Sequence, residues 1–297
     1  MRQIAVLDAP SNLGLRPPAP GVVPGCYKLA GALRDQGILD RIGGEDAGYA
    51  TPPRYDRGEW VLGDGLFNAD GIAAYTRVLA DRLGALFEGG RFPVVLGGDC
   101  SILLGAALAL RRRGRYGVAF LDGHSDFRHP ENSPGVGAAA GEDLALVTGR
   151  GQALATDIDG LRPYIGVEDA AVLGIRDDDE YTEELDALGA LVRPLARLRE
   201  DGPAATAAAA LERFDRAGVD GFWVHVDADV LDEAVMPAVD SPNPGGLSHG
   251  ELRELLTPLV ASERCVGFEI TVFDPDLDPD GRLAAELADT LVAVFTG

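Results

Sequence analysis

Short apolar runs recur along the chain, and two of them end abruptly in acidic residues. The first reads Gly117-Val-Ala-Phe-Leu-Asp122-Gly-His124-Ser-Asp126, and the second reads Phe222-Trp-Val-His225-Val-Asp227-Ala-Asp229. An apolar run of this length is typical of a strand buried in a sheet. In parallel α/β sheets, ligands bind at the carboxyl ends of the strands. The pattern therefore predicts that both acidic groups lie at the edge where a site would form. Because strand period is two, we expect Asp227 and Asp229 to point to the same side, with His225 sharing their parity.

Strand-like runs alternate with segments that have helical apolar spacing, which predicts an α/β fold with a largely parallel sheet covered on both faces. A capping box formed by Ser248 and Glu251 predicts the start of one helix. No linker, repeat or low-complexity break interrupts the order, so we expect residues 1–297 to form a single domain. The predicted strands are 4–7, 92–98, 117–121, 170–175, 190–192, 222–227 and 265–272. The other predicted helices are 27–36, 68–88, 101–110, 142–148, 183–188, 204–216 and 282–295.

Composition narrows the class of function. The 297 residues are 46% hydrophobic, and 48 acids against 26 bases give a formal charge of −22. This charge argues against nucleic-acid or anionic-membrane binding and is compatible with a cationic substrate. Three cysteines without framework spacing indicate a reducing compartment. With no apolar stretch of membrane-spanning length and no signal-peptide pattern at the start, we expect a cytoplasmic protein.

The two acidic strand ends predict a metal centre. Carboxylates packed this closely repel one another unless a cation or proton lies between them, and imidazole is a common metal ligand. Two strands that each deliver paired ligands to one edge suit a cluster of two metal ions. The alternative for either motif alone is a strand end with solvated acids and a surface histidine.

Four motifs together make the chain resemble the arginase/agmatinase (ureohydrolase) family over most of its length. The resemblance implies a three-layer α/β/α arginase-like fold, a binuclear site that is most commonly manganese, and hydrolysis of a guanidino C–N bond with release of urea or a relative. It also implies a small guanidino substrate and a homo-oligomer, commonly a trimer or hexamer. The motifs are Gly97-Gly98-Asp99, Asp122-Gly-His124-Ser-Asp126, Gly174-Ile-Arg176-Asp177-Asp178-Asp179 and Asp227-Ala-Asp229-Val-Leu-Asp232.

The resemblance also implies a ligand set. Asp122 and Asp227 would bridge the two metal ions. His124 and Asp229 would complete one metal site, and Asp126 and Cys100 would complete the other. Asp126 would in addition accept a proton from the attacking water and donate it to the leaving amine.

Cys100 departs from the family, which usually has His at this position. A thiolate is a softer ligand that favours Zn²⁺ and similar ions over Mn²⁺. Cys100 could alternatively remain unligated and leave one metal site weak, or it could act as a thiol nucleophile with a nearby histidine. The last alternative describes a metal-free hydrolase, and an inactive binding protein that kept the fold is a further one.

Three other positions depart from the pattern. His225 replaces a small residue that is usual in the family. The proton-shuttling His-Gly of arginine-specific members corresponds to 140–141, Ala-Gly, and His129 or His225 could substitute. The family's guanidinium-binding Glu corresponds to Val272 in an ungapped match. Glu269 is a candidate guanidinium clamp three positions earlier. On a regular strand, Glu269 and Val272 point to opposite faces of the sheet. Glu269 would therefore reach the site only if a β-bulge lay between them.

The predicted substrate depends on two loop residues. In arginine-type members the residue equivalent to Asp179 holds the substrate's amino group, which indicates an α-amino acid rather than agmatine. Arg128 can receive a carboxylate bidentately, or it can be an exposed loop residue. Without the shuttle histidine, we expect arginine or Nω-hydroxy-L-arginine, the latter favoured because its leaving group needs less protonation. An agmatinase, a guanidino-acid hydrolase or a formimidoyl-amino-acid hydrolase on the same site remains an alternative.

Overall fold

A computed structural model describes residues 2–297. Its eight strands form one sheet in the order β2-β1-β3-β8-β7-β4-β5-β6. Every neighbouring pair is parallel, which confirms the predicted α/β class. The strands are β1 Ile4–Asp8, β2 Glu45–Tyr49, β3 Phe92–Leu96, β4 Gly117–Leu121, β5 Ala170–Leu173, β6 Leu191–Arg193, β7 Phe222–Asp227 and β8 Cys265–Thr271.

Helices cover both faces of the sheet, giving three layers. Successive residues of a strand point to opposite faces, and in β3 this places Val94 and Leu96 in one hydrophobic cluster and Val95 in the other. Helices α1, α2 and α8–α11 pack in the first cluster, and α3–α7 pack in the second. The helices are α1 Leu29–Asp35, α2 Ile38–Arg41, α3 Ala69–Glu88, α4 Leu103–Arg111, α5 Asp143–Val147, α6 Ala153–Thr156, α7 Thr182–Ala187, α8 Leu195–Asp201, α9 Pro203–Ala217, α10 His249–Ala261 and α11 Arg282–Thr296.

Most predicted elements are present, and the exceptions have local causes. The edge strand β2 was not predicted because its residues are mostly exposed and Gly48 interrupts it with a φ of 74°, so no alternation marks it. The short helices α2, α6 and α8 were also not predicted. Strand β5 ends earlier than predicted because Gly174 adopts a φ of 94°. The capping box of Ser248 and Glu251 is present at the start of α10.

The sheet order brings four strand ends together. Strands β3, β8, β7 and β4 are consecutive neighbours, so the loops that follow them start from one stretch of the carboxyl edge. Cys100 follows β3, Val272 follows β8, Asp227 ends β7 and Asp122 follows β4. The candidate ligands therefore converge although as many as 129 residues separate them in the chain. Within residues 2–297, no helix combines the length and apolar character needed to cross a membrane.

Candidate active site

Asp122, His124 and Asp229 form a tight group above β4 and β7. The Nδ1 atom of His124 lies 3.0 Å from Asp229 Oδ2 and 3.7 Å from Asp122 Oδ1. The backbone amide of His124 donates to Asp122 Oδ1 at 2.7 Å, and that of Gly123 donates to Asp229 Oδ1 at 3.0 Å. These amides fix the two carboxylates, and the Nδ1 atom of His124 faces both of them.

A turn at the end of β7, rather than strand parity, places Asp229 beside Asp227. The strand ends at Asp227, and residues 228–230 form a 3-10 turn. The side chain of Asp227 caps this turn, because its Oδ1 accepts the amide of Asp229 at 2.7 Å. A continued strand would have placed Asp229 on the same side as Asp227, two residues further along. The turn instead brings Asp229 back toward Asp227.

Cys100 lies directly beneath the carboxylates and is fully buried. Its Sγ is 2.8 Å from Asp227 Oδ2 and 3.0 Å from the hydroxyl of Thr271. Cys100 opens a 3-10 turn after β3 that is capped by Asp99, which accepts the amide of Ser101 at 2.9 Å. The Gly97-Gly98-Asp99 motif thus delivers the thiol to the bottom of the acidic cluster.

Burial and mutual repulsion perturb the acids strongly. Burial and the charge of Asp229, partly opposed by His124, raise the pKa of Asp122 to about 6. Burial and the charges of neighbouring aspartates raise the pKa of Asp126 and Asp227 well above the usual range. Burial alone would lower the pKa of His124, but its hydrogen bonds with Asp122 and Asp229 outweigh it and raise that pKa to about 12. Such a cluster has a large excess of negative charge that a cation would offset.

The donor set fits a pair of divalent ions. One compact group is Asp122, His124 and Asp126, and a second is Cys100, Asp122 and Asp227; within each, the ligand atoms lie within 4.8 Å of one another. Asp122 belongs to both groups, as a bridging ligand must. Its buried Oδ2 atom has no hydrogen-bond partner among residues 2–297. A buried carboxylate oxygen is rarely left unpaired, so this oxygen is available to a metal ion.

The acidic cluster forms the floor of a cavity of about 830 Å³. The predicted residues His124, Asp126, Asp227 and Asp229 line it, and Asp126 is held there with a φ of 44°, which is unusual for a residue other than glycine. Cys100 and Asp122 lie below this lining. The cavity is large enough for an amino-acid substrate.

Both predicted substrate-binding residues also line the cavity. Arg128 is partly buried there. Asp179 already accepts two backbone hydrogen bonds, from Ser125 at 2.9 Å and from Tyr181 at 2.9 Å. These bonds orient the Asp179 carboxylate and tie the loop after β5 to the metal-ligand loop after β4.

Two supporting residues were not recognised from the sequence. The guanidinium of Arg176 is buried and donates to the carbonyls of Asp229, Leu231 and Asn243 at 3.0–3.2 Å, which braces the loop that carries the β7 ligands. The side chain of Asn243 lies 3.0 Å from Nε2 of His124 and can orient this ring. The Gly174-Ile-Arg176 motif could have indicated the role of Arg176. A single Asn in a Pro- and Gly-containing loop gave no indication of the role of Asn243.

The remaining predicted residues lie away from the cavity surface. Strand β8 pairs regularly with β7 from Gly267 to Thr271, so no bulge turns Glu269 toward the cavity. Glu269 is instead fully buried and 2.7 Å from His225 Nδ1. His129 is buried against Glu184, and neither histidine is part of the lining. Val272, with a φ of 72°, is the residue of this strand end that faces the cavity.

Comparison with known proteins agrees with this site. The family model described as "Arginase family" matches residues 30–296. The arginase of Bacillus caldovelox is 28% identical over 99% of this chain and 98% of its own length. Its native crystal structure at pH 5.6 superposes with a TM-score of 0.89, at 26% identity and covering 100% of this chain and 99% of that one. A formimidoylglutamase from Bacillus subtilis shares the fold, with a TM-score of 0.77 at 21% identity, covering 100% of this chain and 87% of that one. Since the family model spans most of the chain, the chain belongs to the arginase family of amidinohydrolases, which act on C–N bonds with two metal ions, usually Mn²⁺.

Proposed function

We propose that this chain hydrolyses the guanidino C–N bond of an arginine-like amino acid, with Nω-hydroxy-L-arginine as the favoured substrate and arginine as the next. The observation that carries the proposal is the cluster of Asp122, His124, Asp227 and Asp229 at the floor of a cavity whose wall carries Asp179. A concave site with convergent polar groups and perturbed acids has the character of a catalytic centre.

Six residues would hold two divalent ions, by analogy with the family. When bound, the pair would polarise a water molecule and the guanidino group between them. The backbone amides that fix Asp122 and Asp229, and the amide of Asn243 beside His124, keep the donor atoms in place before any ion arrives. The six residues are Cys100, Asp122, His124, Asp126, Asp227 and Asp229.

Asp126 is the residue suited to moving the proton. It lies on the cavity floor, and burial raises its pKa well above the usual range. A carboxyl group with a raised pKa can accept a proton from the attacking water and donate it to the leaving amine in the same reaction cycle. Its backbone has a φ of 44°, and the residue lines the cavity.

The substrate assignment rests on the cavity wall. Arg128 can pair with an α-carboxylate, and Asp179 can receive an α-amino group through its partly satisfied oxygens or through water. Agmatine lacks the carboxylate. Val272 and Ala140 line the cavity where the family carries a guanidinium-binding Glu and a shuttle His. Apolar side chains at these two positions, without a proton shuttle, favour a less basic amidine with a better leaving group.

The thiol-nucleophile alternative has less support. Cys100 is fully buried, does not line the cavity, and approaches Asp227 as a hydrogen-bond donor. Burial and the neighbouring carboxylates raise the pKa of the thiol well above its usual value of 9.0, which disfavours the thiolate unless a cation is present. Cys100 is better placed as a ligand, and it would move metal preference from Mn²⁺ toward Zn²⁺ and similar ions.

The experiment is a substrate panel run on protein of known metal content. Metal-stripped protein is reloaded with Mn²⁺ or Zn²⁺ and assayed with Nω-hydroxy-L-arginine, L-arginine, agmatine and N-formimidoyl-L-glutamate. We expect activity that depends on metal and is highest on the hydroxyguanidine. Full turnover in the stripped protein would overturn the metal assignment, and preference for agmatine would overturn the roles of Arg128 and Asp179. Asp276→Asn removes an exposed acid and serves as the control, with unchanged activity expected.

The remaining assignments follow from composition and family alone. We infer a cytoplasmic enzyme that is independent of nucleic acid and membranes, and a trimer or hexamer in solution. Light scattering coupled to gel filtration tests the oligomer directly.

A further inference from the structure

A second group of ligand-type side chains lies one layer below the acidic cluster. It consists of Cys100, Asp143 and His225, with Glu269 behind the histidine, and all four are fully buried. The proposed reaction uses only Cys100 of these. Buried ionisable groups are unfavourable unless they are paired or coordinate a metal, so their convergence requires an explanation.

Strand register places the histidine and the glutamate side by side. Phe120 of β4, His225 of β7 and Glu269 of β8 are direct neighbours across the sheet and point to the same face. The imidazole stacks on the Phe120 ring at a centroid distance of 4.8 Å and an angle of 12°. Its Nδ1 atom lies 2.7 Å from Glu269 Oε1. The ring orientation is thus fixed from two sides, and Nε2 is left pointing at the first residue of α5, Asp143.

The atoms that face one another in this pocket have no partners. Neither His225 Nε2 nor Asp143 Oδ2 has a hydrogen-bond partner among the described residues, and both are buried. They are 3.9 Å apart, which is too far for a hydrogen bond. An unsatisfied buried polar group costs roughly 1–3 kcal/mol. Two such atoms aimed at each other across a gap are typical of a site that holds something between them.

The spacing of the group is compatible with coordination of one ion. One ligand atom from each of Cys100, Asp143 and His225 lies within 4.8 Å of the other two. Bond lengths of about 2.0–2.2 Å place tetrahedral nitrogen and oxygen ligands roughly 3.3–3.6 Å apart, so the 3.9 Å between His225 Nε2 and Asp143 Oδ2 needs to shorten by only a few tenths of an ångström. The set of one sulfur, one imidazole nitrogen and one carboxylate oxygen is typical of Zn²⁺ and Co²⁺ rather than Mn²⁺.

We propose that Cys100, Asp143 and His225 form an inner metal site that binds a Zn²⁺-type ion in addition to the ions of the acidic cluster. Glu269 is the positioning residue. Its carboxylate accepts a hydrogen bond from the Nδ1–H group of His225, which leaves the Nε2 lone pair directed toward the ion, as carboxylates do behind metal-binding histidines. Binding converts the Cys100 thiol to a thiolate and releases its proton, and the thiolate and carboxylate together neutralise the ion. The site is defined by these contacts and does not depend on the substrate.

Cobalt tests the inner site without relying on activity. The metal-stripped full-length chain is titrated with Co²⁺, and the thiolate-to-cobalt charge-transfer absorption in the near ultraviolet is followed together with the cobalt content per chain. We expect the wild-type chain to show this absorption and to bind about three ions. Because Cys100 is shared with the acidic cluster, His225→Asn, which can still donate to Glu269, and Asp143→Asn should each lose one ion and the part of the absorption that the inner ion contributes. Cys265→Ser, at the opposite end of β8, is the control and should behave as wild type.

The outcomes separate this proposal from the proposed function. If both His225→Asn and Asp143→Asn keep the full absorption and the wild-type number of ions, Cys100 serves only the acidic cluster and the inner site is refuted. If the wild-type chain shows no thiolate absorption, no metal binds Cys100 and the inner site is again refuted. In either case two bound ions and metal-dependent hydrolysis would leave the proposed reaction intact, and in the second case only Cys100 would leave the proposed set of six ligands. Circular dichroism of each variant confirms that any loss is not a loss of fold, and the two substitutions act on different elements, so at least one is expected to fold.

Discussion

Replacing Asp122 with Asn should stabilise the metal-stripped protein and destabilise the metal-loaded one. Without metal, the buried carboxylate faces Asp229 and the other acids with too little positive charge to balance them. Its pKa of about 6, against 3.8 when exposed, is the net result of burial, this repulsion and the opposing attraction of His124. At 1.36 kcal/mol for each pH unit, ionised Asp122 reduces the free energy of unfolding by about 3 kcal/mol above pH 6.

The structure also indicates what Asn retains. Its Oδ1 atom can still accept the amide of His124, the bond that Asp122 makes at 2.7 Å, so only the charge is removed. With an unfolding entropy of about 2.1 cal/mol/K per residue, 3 kcal/mol corresponds to a rise in Tm of roughly 5 °C for a chain of this length. The sign follows from linkage. A raised carboxyl pKa means that the folded state binds more protons, so stability is lost as pH rises from about 3.8 to about 6.

Thermal unfolding is measured by calorimetry at pH 8 and pH 5, in EDTA and in saturating Mn²⁺. In EDTA at pH 8 the Asp122→Asn protein should melt about 5 °C above wild type, and at pH 5 this advantage should fall to about half. In Mn²⁺ the order should reverse, because ions bound to the native state stabilise it in proportion to their affinity and the variant lacks a bridging ligand. Hydrolysis should fall at least about a hundredfold. An equal or lower Tm in EDTA at pH 8 would show that repulsion does not dominate this cluster.

Three further results are expected. Cys100→His combined with His225→Ser should retain metal-dependent hydrolysis with preference shifted toward Mn²⁺, whereas Cys100→His alone should crowd two imidazoles into fully buried space; an assay with each metal decides this. Gly267→Ala should lower the free energy of unfolding by about 1–3 kcal/mol in urea, because its Cβ would lie 2.0 Å from the Trp223 ring. Burial lowers the pKa of His249, the first residue of α10, below 6.5, so the unfolded chain binds its proton more readily. Stability should therefore fall as pH drops below about 6.5, and His249→Gln should flatten that slope.

The sequence was sufficient to predict seven of the eight strands and to propose metal-ligand candidates at their ends, because both depend on local signals. Apolar runs ending in acids mark buried strands and their exits, and parallel strands bring those exits together. It was insufficient where a contact depends on register between distant strands. Asp143 and His225 are 82 positions apart, and their approach follows from α5 packing over the face that Phe120 and Glu269 also share.

Backbone conformation was the other missing information. On a regular strand, Glu269 and Val272 are predicted to point to opposite faces of the sheet, and β8 is indeed regular from Gly267 to Thr271. Which of the two faces the cavity depended on the turn that follows, where Val272 has a φ of 72°. A β-branched residue rarely adopts this conformation, so no propensity could have indicated it. Its amide donates to the carbonyl of Gly98 at 2.7 Å, which ties the turn to the loop that carries Cys100.

The positions that depart from the family pattern are not scattered. Cys100, His225 and Glu269 contact one another or share one ligand group beneath the acidic cluster. Ala140 and Val272 line the cavity above it. Substitutions within each group can compensate one another physically. Below the cluster, the small thiol of Cys100 leaves room for the imidazole of His225. Above it, Val272 and Ala140 replace a carboxylate and a shuttle imidazole, so both changes remove polar groups from the same wall. Because the Asp122, His124, Asp227 and Asp229 cluster lies between the two groups, metal preference and substrate preference can change here while the central ligands stay the same.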